Sequence, residues 1–238
     1  MKTHLILLFL ILTSCRPAAD SSAVIPDLNK KDQPNGVVVS ECDEYKPIEI
    51  PKSPSAVARM DFLNGEYPIV EEAGNVKLSN GCYTNVETEG LGEITYTLDA
   101  VRFVDFDGDG SDEALVTIGN FGGGVSSAAS DTYFVYREKN GKTELIWKFA
   151  EGARAYCGPR EFAVEGKTVL IEVFSNCELQ SDGTLKDNGK HTYDYLAFEY
   201  TKFKFGWSGN RIGTLSREVF PYPEKEIKDY QRMSEIRP

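Results

Sequence analysis

The sequence predicts a mainly β fold, an antiparallel meander of hairpins that forms a curled sheet, a sandwich or a partial barrel, with at most short helices. Three observations predict it. Beyond residue 75, β-branched and aromatic residues alternate with polar ones. Short turn signals such as Asn140-Gly141 break these runs at hairpin intervals. Helical spacing is confined to two brief stretches, one before Asn64-Gly65 and one at the C-terminus.

Residues 1–14 stand apart from the fold. Lys2 opens them, an apolar run from Leu5 to Leu12 follows, and Cys15 comes next. The run is too short to span a bilayer. Leu12-Thr13-Ser14-Cys15 resembles the bacterial lipobox, which implies cleavage before Cys15 and lipidation of that cysteine. Several acyl chains on one residue exceed the two membrane signals that stable anchoring requires. The resemblance therefore implies a lipid-anchored location in the bacterial cell envelope; the outer membrane, at its periplasmic or surface face, is the expected site, with the inner membrane the open alternative. The competing reading is an ordinary secretory signal in which Cys15 is incidental.

From Cys15 to residue 40 the chain is rich in Pro, Ser, Asp, Asn and Lys and has little periodicity, as expected of a flexible tether. Residues 41–223 are read as a single β domain. Within it, "AVARMDFLNGEYPIV" at 56–70 accommodates one helical turn, and Asn80-Gly81 separates two short strands. "EITYTLDAVRFVDF" alternates as a strand should, and Asn140-Gly141 joins two aromatic strands. "REFAVEGKTVLIEVF" repeats the hairpin around Glu165-Gly166-Lys167, and Ser208-Gly209-Asn210 turns a long strand into a shorter return strand. In the tail, 224–238, Ile227, Tyr230 and Met233 fall at helical intervals, compatible with a short helix.

The formal net charge is −11, and removing residues 1–14 takes away Lys2 and no acid, leaving −12. Nucleic acid and anionic lipid surfaces would repel such a chain, which argues against either as its partner. Membrane contact is expected through the lipid alone, with a protein or a glycan as the partner. If Cys15 carries lipid, Cys42, Cys82, Cys157 and Cys177 remain, an even set suited to an oxidising compartment. Three pairings are open. Cys157 with Cys177 and Cys42 with Cys82 are preferred, because each closes a local loop around strand-like sequence, and the spacing lacks the C-x-x-C of structural zinc.

The most informative stretch is "DFDGDGSDE" at 105–113, which puts five carboxylates in nine residues between two apolar β runs. Alternation points Asp105, Asp107 and Asp109 one way, while Phe106 and Gly108 point the other. Calcium takes six to eight oxygens, and such a loop supplies them through these three carboxylates, the Ser111 carbonyl and a closing Glu113. An EF-hand begins in the same way but needs a bidentate glutamate at position 12, where Val116 stands, and helices on both flanks.

The pattern D-x-D-x-D-G-x-x-[DE], matched by Asp105, Asp107, Asp109, Gly110 and Glu113, resembles the FG-GAP and VCBS type calcium loops of integrin-like propeller repeats. Only one clear copy is present, which argues against a whole propeller. "SDGTLKDNG" at 181–189 lacks the alternating triple and is read as polar turns. Residues 60–205 also resemble a group of bacterial envelope proteins with no assigned activity, through "DFLNGEYP", "EALVTIG", "FVYREKNGKTELIWKF" and "GARAYCGPREF". Calcium is the cofactor that the loop resemblance implies.

Other motifs carry less. "GNFGGGVSSAASD" at 119–131 lacks the G-K-[ST] of a phosphate cradle and leads into a strand. His191 is the one histidine left after the signal, too few for a triad or a zinc hydrolase. Arg154, Tyr156 and Arg160 flank Cys157 as a conceivable anion cluster, and Tyr133, Tyr136, Tyr195 and Tyr200 as a carbohydrate platform; a pinned turn and core pairs are the plainer readings. The expected function is a non-catalytic binding or structural protein. The alternative is a calcium-dependent envelope hydrolase of glycan or peptide, with the ion as electrophile.

Overall fold

The computed structural model describes residues 41–70, 74–85, 94–122, 130–153, 156–190 and 197–223, all within the compact unit Val39–Pro238. The signal, Cys15 and the tether lie outside these residues, as do Arg154, His191, Tyr195, the C-terminal tail and the centre of the glycine-rich stretch. Among the described residues the fold is mainly β and antiparallel, as its alternation predicts. One short helix, α1 (Glu41–Glu44), and a 3₁₀ turn at Ala56–Arg59 precede the strands. No described helix is long and apolar enough to cross a membrane.

β1 (Glu66–Val70) and β2 (Gly74–Lys77) form a hairpin. β3 (Cys82–Asn85), β4 (Ile94–Val104), β5 (Glu113–Gly122), β6 (Ser130–Lys139) and β7 (Lys142–Ala150) follow as a five-stranded meander in that order. β8 (Pro159–Glu165), β9 (Thr168–Phe174), β12 (Glu199–Ser208) and β13 (Arg211–Pro221) build a four-stranded sheet ordered β13-β12-β9-β8. The small hairpin of β10 (Cys177–Leu179) and β11 (Leu185–Asp187) sits between β9 and β12 in the chain.

The turns follow their sequence signals. Asn80 and Gly81, and likewise Asn140 and Gly141, all have positive φ, as a two-residue hairpin turn with the native strand twist demands. Two expectations need correction. The return strand β13 has 11 residues against 10 in β12, so it is not the shorter one. Its polar run Ser216-Arg217-Glu218 disguises an edge strand that faces water. Within 181–189, read as turns throughout, Leu185–Asp187 pairs with β10.

Two cores explain why the middles of β5 (Ala114–Ile118) and β6 (Tyr133–Tyr136) are buried at every position. Ala114, Val116, Ile118, Phe134 and Tyr136 meet the N-terminal segment, including Val57, Phe62, Tyr67 and Val76. The alternate residues Leu115, Tyr133 and Val135, joined by Trp147 and Phe149, meet Val169, Ile171, Val173, Phe203 and Phe205 of the second sheet. The five-stranded sheet is thus covered on both faces, and its central strands lose the polar side that a half-exposed strand keeps. Phe149 meets Phe203 edge-on at 5.6 Å and Phe205 at 5.3 Å, contacts that add about 0.5–1.5 kcal/mol each beyond area burial.

Disulfides join Cys42 to Cys82 and Cys157 to Cys177, with Cα separations of 5.6 and 5.9 Å. The first ties α1 to the β3 edge of the meander. The second ties the turn entering β8 to β10.

Candidate metal centre

Between Val104 and Glu113 the chain must leave β4 and re-enter as β5, so strands flank the acidic loop on both sides. Gly108 and Gly110 make the reversal with φ of 82° and 91°, a region closed to most side chains. The first three aspartates are oriented by the backbone that they help to turn. Asp105 Oδ1 accepts the Gly108 N–H at 2.6 Å, Asp107 Oδ1 accepts the Asp109 N–H at 3.0 Å, and Asp109 Oδ1 accepts the Ser111 N–H at 2.7 Å. Carboxylate oxygens of Asp105, Asp107 and Asp109 consequently lie within 4.8 Å of one another.

Glu113 occupies a different setting. It is 3% exposed, and Oε2 accepts the Phe106 N–H at 2.8 Å across the base of the loop. Burial pushes its carboxyl up to about 7; the Phe106 hydrogen bond opposes this, and the charges of Asp107, Asp109 and Asp105 add to it. The tight oxygen group is made by the three aspartates, and Glu113 is not part of it. A cavity of about 200 Å³ is lined by Asp107, Asp109, Ser111 and Glu113 together with Arg137 and Lys139.

Asp112, the fifth acid, is turned to another task. Its N–H donates to Ser55 Oγ at 2.6 Å, and its Oδ2 accepts the Ser53 hydroxyl at 2.6 Å. The loop is thereby fastened to the N-terminal segment that caps the first core. Lys167, from the β8–β9 turn, places Nζ 3.5 Å from Asp105 Oδ2. Partial burial raises the Asp105 carboxyl, but the Gly108 N–H and the Lys167 ammonium outweigh it and hold the group below the ordinary carboxylate range. Sequence reasoning missed Ser53, Ser55 and Lys167, because contacts across 57 to 62 residues leave no local signal.

The remaining candidates dissolve into structure. Arg160 pairs with Glu172 and lies over the Tyr200 ring at 4.2 Å, so it belongs to the sheet surface. Tyr133 and Tyr136 are buried, and Tyr200 stacks on Phe220 at 5.2 Å. A second acid pair, Asp131 and Glu151, does exist. Asp131 pairs in register with Gly119, six residues along β5 from Glu113, about 20 Å at strand rise. An ion in the loop and that acid pair could not act on one bond.

No family model, curated protein or solved structure matches the chain.

Proposed function

We propose that this chain is a non-catalytic lipoprotein of the bacterial cell envelope whose β-sandwich is stabilised by calcium in the 105–113 loop. The convergence of Asp105, Asp107 and Asp109 carboxylate oxygens within 4.8 Å carries this reading. Lys167, paired with Asp105 alone, is the one cation within ion-pair distance of these three acids among the described residues, and Arg137 and Lys139 line the cavity beside Asp107 and Asp109 without pairing with them. A divalent ion is the economical source of the missing positive charge, and oxygen-only donors favour a hard cation.

The ion would do structural work. It would clamp the β4 exit to the β5 entry, and through Asp112 it would firm the seat of the N-terminal segment on Ser53 and Ser55. Extracellular modules of this kind bind calcium at about 10⁻⁴–10⁻³ M, which suits a site that stays filled outside the cell and empties in chelator. Anchoring through Cys15 would hold the domain at the membrane, facing a protein or glycan partner.

Thermal melts with millimolar calcium and with EGTA test the ion. Calcium at about ten times its Kd should stabilise by about 1.4 kcal/mol, a rise of a few degrees for a domain of this size. Identical melting temperatures would remove calcium from the account. The anchor is tested separately by Cys15→Ala, which should move the protein from the membrane fraction to the soluble one.

A further inference from the structure

The two disulfides sit in unlike surroundings. Cys157 and Cys177 are 1% and 0% exposed and belong to the second core, with Phe149, Val173 and Phe203. Cys42 and Cys82 belong to neither core among the described residues. Cys82 is 4% exposed, and Cys42 is the one bridged cysteine that keeps more than a trace of its surface open to solvent. The Cys42 sulfur also has a polar neighbour, Thr84 Oγ1 at 3.2 Å. A bridged sulfur carries no hydrogen, so the Thr84 hydroxyl donates to it, and Thr95, whose Oγ1 lies 3.2 Å from that of Thr84, donates in turn.

Exchange of a disulfide requires a thiolate to reach one of its sulfurs. At Cys157–Cys177 that approach would have to open the second core, whereas at Cys42 local access is enough. The attachment that Cys42–Cys82 provides is also small. It fastens α1, four residues long, to β3, four residues long, at the rim of the meander. A single helical turn has little stability of its own. Beyond α1 the chain is held independently, by the Tyr45 hydroxyl on the Leu98 carbonyl at 2.7 Å and by Ser53 and Ser55 on Asp112. Opening the first disulfide therefore releases α1 and leaves both cores closed.

We propose that Cys42 is a site of reversible modification by low-molecular-weight thiols, which exchange into the Cys42–Cys82 disulfide and leave Cys157–Cys177 intact. The thiolate attacks Cys42 Sγ, a new S–S bond forms there, and the bond to Cys82 breaks. The electron pair departs on Cys82 Sγ, which takes a proton from water. Nothing is oxidised or reduced overall, since one disulfide replaces another. Cys82, held in β3 beside the modified residue, reverses the step when its thiolate attacks Cys42 Sγ and expels the small thiol. The modification thus unfastens α1 from the meander rim and is undone by the protein itself once the thiol is removed. It depends on neither the ion nor the lipid.

The test incubates the full chain with reduced glutathione at pH 8, natively and in urea, followed by an acid quench and non-reducing peptide mapping. The native protein should carry glutathione on Cys42, a free thiol at Cys82 and an unbroken Cys157–Cys177 bridge, whereas in urea both disulfides should exchange. Hydrogen exchange on the native adduct should quicken at residues 41–45 and stay unchanged in β9 and β12. Single variants separate the two sulfurs. With Cys82→Ser the Cys42 thiol should take up oxidised glutathione readily, and with Cys42→Ser the Cys82 thiol should resist it. A native protein that takes no glutathione while the urea sample does, that loses Cys157–Cys177 first, or that carries the adduct on Cys82 overturns the proposal, as do equal rates in the two variants.

Discussion

Glu113 accepts the backbone N–H of Phe106 at 2.8 Å, with both residues almost wholly buried beneath the acidic loop. The bond closes the loop at its base and holds a buried carboxyl within the field of three others. Its energetic consequence depends on pH.

Without metal, the Glu113 carboxyl is raised from 4.5 to about 7 in the folded protein. A raised folded pKa means that stability is fully present below about pH 4.5 and is lost as pH climbs through 7. The loss should be on the order of 2 kcal/mol, allowing for solvent at the loop side of the carboxyl. Urea melts of calcium-free protein at pH 5 and pH 8 should show this decline, and Glu113→Gln should flatten it. An unchanged slope in the variant would assign the decline to other groups.

Glu151 adds a decline of the same sign at higher pH. Burial first, then the charge of Asp131, lifts it to about 8 against hydrogen bonds from the Asp131 N–H and Tyr133 that lower it. Its stabilising proton is complete below about pH 4.5 and leaves through pH 8, so Glu151→Gln should make calcium-free protein more stable than wild type at pH 9 but not at pH 5. Denaturation at those two values checks it.

Lys167 competes with any ion for Asp105. Its ammonium is largely exposed, so its own worth to the fold is small, but it cancels charge at a proposed ligand. Lys167→Met should leave the calcium-free melting temperature nearly unchanged and tighten calcium binding a few-fold at low salt. Calorimetry at two ionic strengths measures this, since the gain should shrink as salt rises.

Both loop glycines report backbone strain. Gly110 has φ of 91° and open space where a methyl group would stand, so Gly110→Ala should cost only the left-handed penalty, about 1–2 kcal/mol. At Gly108 a Cβ would also meet Lys167 Nζ at 2.6 Å, the flexible end of a side chain. Gly108→Ala should therefore cost nearly the same, because the exposed Lys167 swings aside at little expense, and denaturation of the two alanine variants should give similar losses.

Much of the architecture is legible in the chain because β periodicity is local. Asn140-Gly141 and the alternation through 94–104 and 142–150 encode their hairpins within a few residues. The length of β13 is hidden because an edge strand with water on its side can be polar. The cysteine pairs are readable from loop length, whereas the covering of the meander on both faces emerges only from the continuously buried middles of β5 and β6 meeting two distant partners. At the acidic loop, the spacing of Asp105, Asp107 and Asp109 is sufficient to foresee their convergence. Asp112 gives no sign that it turns to Ser53, and the acids around Gly119 (Asp99, Asp131 and Glu151) are invisible because they come from two separate strands and the end of a third.

The most direct test is a crystal structure grown in calcium, with anomalous scattering measured at the loop. The account predicts one strong peak bounded by Asp105, Asp107 and Asp109, with carboxylate oxygens at about 2.3–2.6 Å from it. Well-ordered loop density with no peak, and the three side chains turned apart into solvent, would contradict it.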